Sequence, residues 1–226
     1  MNNTITVATD GSALRNPKGP GGWAWVIDAN NWNAGSSPRA SNQAMEMAAI
    51  LRALVDIPSG VNLIIQTDSA FCVNMIGARG HGGWMEGWKK KGWVKADGTP
   101  PANLLLVKKI DETLMSREGT VELQWVKGHS NNALNNLADR KCTDAAKLQD
   151  QGVKFLGGPG IVDITSVLRD KKFVTGSSLV KEYISPFEED ESKPLPVFKQ
   201  DNFKPKGQYC GSCNGLIIDN ECRCSR

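Results

Sequence analysis

Leu63-Ile64-Ile65-Gln66-Thr67-Asp68, with Ser69-Ala70-Phe71-Cys72-Val73-Asn74-Met75-Ile76 directly behind it, is the stretch that decides the architecture. An apolar run that ends on polar residues and passes at once into helix-compatible sequence reads as a strand followed by a helix, the pattern of a parallel crossover. Upstream, Thr4 to Thr9 alternates and is β-branched, Gly22 to Asp28 is aromatic and apolar, and Asn31 to Ser37 follows a short polar turn, which predicts an antiparallel meander of three strands. Between meander and crossover, Ser41 is a suitable N-cap. Ala44 to Val55 then sets Met47, Ile50, Leu51, Leu54 and Val55 at helical spacing. Downstream come a helix over Leu104 to Met115, a strand over Val121 to Lys127 and a helix over Leu134 to Leu148. The order βββαβα…αβα predicts an α/β fold, a mixed five-stranded sheet with helices on its faces.

This pattern ends near residue 150, a length that suits one domain with a well-buried core, and 226 residues leave room for an appendage. Gly157-Gly158-Pro159-Gly160 breaks the chain, and Ser185 to Lys206 is rich in Pro, Glu, Asp and Lys, as a flexible linker is. The periodicity of Ile161 to Ile184 does not choose between helix and strand. The expected organisation is therefore a catalytic domain over 1–150, an extension and linker over 151–206, and a small cysteine-rich unit over 207–226. No internal repeat of solenoid length occurs.

A net charge of +3 is too small to imply a polyanionic partner, so any such argument must rest on local clustering. The N-terminus MNNTITVATDGS lacks a basic segment followed by an apolar core, and no run of about 18 apolar residues occurs. Those features argue against secretion or membrane insertion, and the expectation is a cytoplasmic monomer with no membrane partner.

Four carboxylates stand where a metal site could be assembled: Asp10 in the first strand, Glu46 on the first long helix, Asp68 at the end of the fourth strand and Asp139 on the last helix. Asp10 interrupts an apolar strand and Glu46 an apolar helix, positions where a lone carboxylate is costly to bury. Any one of them taken alone reads more simply as exposed or paired with a cation. Brought together, four would repel one another unless divalent cations neutralise them, and hard oxygen ligands suit Mg²⁺ or Mn²⁺. Such a cluster predicts two-metal phosphodiester chemistry.

Asp10-Gly11-Ser12, Glu46 after Asn42, Thr67-Asp68-Ser69, Lys127-Gly128-His129-Ser130 and Asn135-Asn136-Leu137-Ala138-Asp139 resemble, in order and approximate spacing, the successive motifs of the type 1 ribonuclease H family. The resemblance covers roughly residues 1 to 150. It implies the ribonuclease H-like fold, hydrolysis of the RNA strand of an RNA–DNA hybrid, and Asp10, Glu46, Asp68 and Asp139 as ligands of two Mg²⁺ ions. It also implies a mobile histidine at His129 that assists proton transfer or product release. Two other readings remain: a DNA nuclease of the same fold, of integrase or junction-resolving type, and a catalytically silent hybrid-binding module.

Gly83 to Lys95 holds three tryptophans (Trp84, Trp88, Trp93) and four lysines (Lys89, Lys90, Lys91, Lys95). Lysines can track a phosphate backbone and tryptophans can pack on sugars or bases, although a basic solvated helix with its tryptophans in the core would look alike. The segment resembles the basic protrusion of bacterial members of the family, which grips the DNA strand. By the same resemblance Asn16, Asn42 and Asn103 are candidates to touch the substrate backbone, with Gln43 beside Asn42. Discrimination for RNA should come from 2′-hydroxyls and minor-groove shape, with little sequence preference.

Cys210, Cys213, Cys222 and Cys224 lie within the last 17 residues, whereas Cys72 and Cys142 are isolated in helical segments. Four local thiolates suit a zinc knuckle, with Zn²⁺ compensating for a small core, although the second pair departs from C-x₂-C spacing. Reduced or adventitiously oxidised surface thiols are the alternative. A folded knuckle would bind nucleic acid or a partner protein.

Overall fold

A computed structural model of the chain describes residues 4–160; the expectations for Ile161 to Ile184, the linker and the four-cysteine tail fall outside the described residues. The chain builds β1 (Thr4–Ala13), β2 (Gly19–Val26), β3 (Trp32–Ala40), α1 (Asn42–Asp56), β4 (Asn62–Thr67), α2 (Ala70–Ile76), α3 (Trp84–Lys90), α4 (Leu104–Ser116), β5 (Val121–Trp125) and α5 (Ala133–Asp150). The five strands form one mixed sheet in the order β3-β2-β1-β4-β5. β1–β2 and β2–β3 are antiparallel, and β1–β4 and β4–β5 parallel, as the meander and crossovers predict.

Strand alternation sorts β1 into two faces. Ile5 and Val7 enter the main core with Met45, Met47, Ile50 and Leu51 of α1, joined by Val107 and Ile110 of α4. Ala8 faces the other way, onto Ala138 of α5. Two glycines let the layers close. A side chain at Gly11 would overlap the backbone of Met45 and Glu46, and one at Gly22 would overlap the carbonyl of Cys142.

Element ends show local chemistry. The Ser41 hydroxyl accepts from the Ala44 N–H to start α1, and Ser69 does the same for α2 through Cys72. At the far end of α1, Arg117 donates to four carbonyls, Leu54, Ile57, Pro58 and Val61, at 2.7–3.0 Å. A guanidinium there satisfies helix-end acceptors and opposes the negative end of the helix dipole.

The meander departs from expectation at its edges. β2 begins at Gly19, three residues earlier than expected, and Gly21 and Gly22 lack side chains where Met45 and the Cys142 carbonyl press against the strand. It ends at Val26 because Asp28 Oδ1 accepts from the N–H groups of Asn30 and Asn31, closing a turn. β3 runs on through Pro38, which an edge strand tolerates. β5 stops at Trp125, so Val126 and Lys127 belong to the following loop.

Beyond α5 the described chain continues along the open side of β3. The Ser36 N–H donates to the Phe155 carbonyl, Gly157 N–H to Ala34 and Gly160 N–H to Trp32, at 2.7–3.0 Å. Among the described residues no helix is long and apolar enough to cross a membrane.

Candidate active site

β1 and β4 pair only as far as Ala8 and Gln66. β1 runs on beside β2, with Asp10 opposite Ala24, while β4 ends at Thr67 and the chain turns into α2 through Asp68. Continuing the register by two residues sets Asp68 level with Asp10. α1 delivers Glu46 beside Gly11, and α5 delivers Asp139 one turn before Cys142.

The four predicted carboxylates meet there. One oxygen from each of Asp10, Glu46 and Asp68 lies within 4.8 Å of the other two, and ligand atoms of Asp10, Asp139 and Cys142 fall within the same limit. Asp10 is 7% exposed, and its Oδ1 accepts from the Gly11 N–H at 2.6 Å. Burial, followed by the charges of Asp68 and Glu46, pushes its carboxyl up to about 8. Burial likewise pushes Glu46 up to about 7, partly offset by a hydrogen bond from Ser69 and reinforced by Asp68. Glu46 Oε2 is buried without a hydrogen-bond partner.

An acidic centre that resists ionising and keeps an orphaned oxygen has the donor set a hard divalent cation needs: oxygen ligands, excess negative charge and an unfilled acceptor. Cys142 is a less suitable ligand. Burial, with Asp10 and Asp139 adding to it, pushes its thiol far above the usual range, and its Sγ donates to the Asp139 carbonyl at 3.2 Å.

His129 stands at the rim. Its side chain is 85% exposed, and Nδ1 is 4.0 Å from Asp139 Oδ2. Its backbone is left-handed, φ 50°, in the loop between β5 and α5.

A second cluster forms where α2, α3 and the segment before α4 come together. Phe71 meets Trp84 edge-on at 5.9 Å between ring centroids, and Trp84 lies 6.3 Å from Trp88. These three rings, with Gln43, Lys95, Pro101 and Ala102, line a cleft of about 350 Å³. Trp84 is 49% exposed, while Trp88 and Trp93 pack against the core, so the tryptophans divide between surface and structural roles.

The lysines divide too. Lys89 Nζ is 2.7 Å from Asp111, a nearly buried carboxylate on α4, and anchors α3. Lys90 and Lys91 are exposed. Lys108 lies over the Trp93 ring at 5.4 Å, and Lys95 pairs with Asp97 at 2.9 Å.

The asparagines are more structural than the sequence suggests. Asn42 Oδ1 accepts from the Ala13 N–H, and Asn16 Oδ1 from the Asn42 N–H, so both tie the β1–β2 hairpin to the start of α1. Their amide nitrogens are the ends that suit a phosphate oxygen. Asn103 caps α4 in a left-handed conformation, φ 55°, with its side chain making no capping bond.

Two contributors escaped the sequence reading. The Trp125 indole N–H donates to the Asp68 carbonyl at 3.1 Å, and a side chain at Gly128 would overlap Asp68 Oδ2. Trp125 falls within the strand expected over Val121 to Lys127, so only its place just before Lys127-Gly128-His129 hinted at a role.

Comparison with known proteins gives the same picture. The RNase H family model matches residues 2–147. Ribonuclease H of Tropheryma whipplei is 35% identical over 164 residues, covering 70% of this chain and 94% of that protein. Ribonuclease HI of Streptomyces coelicolor is 37% identical over 166 residues, covering 70% and 68%. Among solved structures, LC9-RNase H1, a type 1 RNase H with the type 2 active-site motif, superposes with a TM-score of 0.53 at 24% identity, over 70% of this chain and 80% of that one. The foamy viral protease-reverse transcriptase in complex with dsDNA gives 0.52 at 20% identity, over 62% and 92%. The last two speak to the fold alone. With four carboxylates gathered on this sheet, a family match over more than half the sequence and relatives spanned over most of their length, the chain belongs to the RNase H family of nucleases.

Proposed function

We propose that this protein is an endoribonuclease that hydrolyses the RNA strand of RNA–DNA hybrids, using two divalent cations, Mg²⁺ or Mn²⁺, held by Asp10, Glu46, Asp68 and Asp139. The observation that carries the reading is the convergence on Asp10 of Glu46 and Asp68 on one side and Asp139 on the other, with a buried, unpartnered Glu46 oxygen among them. When bound, the cations would supply an activated water and positive charge for the leaving 3′-oxygen.

The rest falls to the chain. Gly11 N–H donates to Asp10 Oδ1 and so orients this buried ligand. His129, exposed above Asp139, is placed to carry a proton to or from the reacting phosphate. Lys90 and Lys91 meet the DNA backbone, the Trp84 and Trp88 cleft packs sugars, and Gln43 with the amides of Asn16, Asn42 and Asn103 donates to phosphates or hydroxyls. Selection for RNA then rests on 2′-hydroxyl contacts.

Cleavage of end-labelled RNA–DNA hybrid, RNA duplex, DNA duplex and single-stranded RNA, each with Mg²⁺ and with EDTA, tests the reading. Mg²⁺-dependent cutting of the hybrid's RNA alone supports it. Cut DNA would transfer the chain to the integrase or resolvase class, and binding without cutting would make it a silent module.

Two further parts of the proposal stand on sequence alone. A zinc knuckle at Cys210, Cys213, Cys222 and Cys224 requires stoichiometric zinc in reduced purified protein, and its absence would sink that part. A cytoplasmic monomer requires a single-chain mass in solution and fractionation with soluble cytoplasmic proteins.

A further inference from the structure

The geometry points to Trp125 and Gly128 as a clamp that positions the Asp68 carboxylate, an inference that rests on the proposed role of Asp68 as a metal ligand. β4 ends at Thr67, so Asp68 lacks the strand pairing by which β2 fixes Asp10 opposite Ala24. The loop after β5 supplies what that pairing does not. Val126 N–H donates to the Thr67 carbonyl at 3.0 Å. Trp125 pairs with Thr67 in the strand register and sends its indole N–H one residue further, to the Asp68 carbonyl at 3.1 Å. Gly128 then lies so close to Asp68 Oδ2 that any side chain there would displace it.

One group holds the Asp68 backbone while the other limits its carboxylate. Trp125 is 56% exposed, an unfavourable place for an indole unless its N–H is the useful part. The same loop continues to His129 beside Asp139, so a single short segment spans two of the four carboxylates. Groups that orient a ligand without touching the ion commonly alter metal affinity more than substrate affinity.

The test uses the full chain. Trp125→Phe keeps an aromatic ring and removes the N–H, and Gly128→Ala pushes on the carboxylate from the other side. Both are expected to raise the Mg²⁺ concentration for half-maximal hybrid cleavage by about tenfold. They should also weaken Mg²⁺ binding to the nucleic-acid-free protein, measured calorimetrically, by a similar factor. The KM for hybrid at saturating Mg²⁺ should stay within about twofold of wild type, because positioning acts on the metal site. An unchanged Mg²⁺ midpoint in both variants overturns the clamp, and a raised KM in Trp125→Phe would then make the indole a substrate contact. Should Trp125→Phe fail to fold, Gly128→Ala, an alteration in a solvent-accessible loop, decides alone. If the wild-type protein cleaved no hybrid, the proposed function would fall while the calorimetric comparison still decided the clamp.

Discussion

The carboxylate floor and the lysine–tryptophan arm are built by opposite means. Asp10 and Glu46 sit on the longest strand and a long buried helix, enclosed by backbone, with their charge opposed by burial and by each other. The arm is a two-turn helix, α3, joined to the body through Met85 in the core, the Lys89–Asp111 pair and the edge-to-face contact of Trp84 with Phe71. The difference teaches where each function draws its energy. The floor crowds buried carboxylates whose ionised forms the bare fold disfavours, whereas the arm spends little on folding and leaves Lys90 and Lys91 in water.

The largest effect that would break this comparison is at Asp10. Asp10→Asn should keep the fold and hybrid binding but reduce Mg²⁺-dependent cleavage to background, measured by single-turnover cutting of end-labelled hybrid. Unchanged turnover in this variant and in Asp68→Asn would remove the two-metal assignment. The variant should also be the more stable protein without metal, since it removes a carboxylate whose ionised form the fold disfavours.

A pH experiment sharpens the same point. Asp10 and Glu46 hold their protons in the folded state up to about 8 and about 7, well above their usual values of 3.8 and 4.5. Between the unfolded and folded values the native state binds the extra protons, so this part of the stability is full below about 4 and is lost as pH rises through 7 to 8. In EDTA the melting temperature should therefore contain a component that falls over that window. Mg²⁺ should reverse it, and a flat contribution from Asp10→Asn should reduce it. Identical pH profiles for wild type and Asp10→Asn would contradict the strained-floor description.

On the arm, replacing Lys90 and Lys91 together with Ala should weaken hybrid binding and reduce the slope of log affinity against log salt by about 2. The loss should be carried by KM. An unaltered salt slope would show that these lysines never meet phosphate. Lys89→Ala is expected to behave differently and with the smallest effect, costing about 1 kcal/mol of folding stability because Asp111 loses its cation while Lys89 itself is partly solvated. Equal salt-slope changes at Lys89 and at Lys90 would erase the distinction between anchor and contact.

Much of the floor was legible in the sequence because its signals are local: an acid interrupting an apolar strand, an acid interrupting an apolar helix, and strand-to-helix turns at Asp68. The arm was legible in composition but not in assignment of roles. Nothing in Lys89-Lys90-Lys91 distinguishes the residue that reaches Asp111, 22 positions away, because that pairing depends on how α3 crosses α4. Asn16 and Asn42 illustrate the same limit. Their residue type suits a phosphate contact or a structural bond, and the hairpin's approach to α1 gives their oxygens the second task. The start of β2 was not legible, because Gly19 to Gly21 carries no apolar signal and is nonetheless strand, with Gly21 and Gly22 pressed against α1 and α5.

The segment from Phe155 to Gly160 gives no periodic signal at all, yet it occupies the donors and acceptors along β3. An uncovered edge strand is a template for pairing with any other extended chain. A polypeptide cut where the regular pattern ends, near residue 150, would leave Ser36, Ala34 and Trp32 with vacant backbone groups facing outward. Its characteristic fault would be self-association through sheet edges, seen as concentration-dependent precipitation while the carboxylate floor stayed intact.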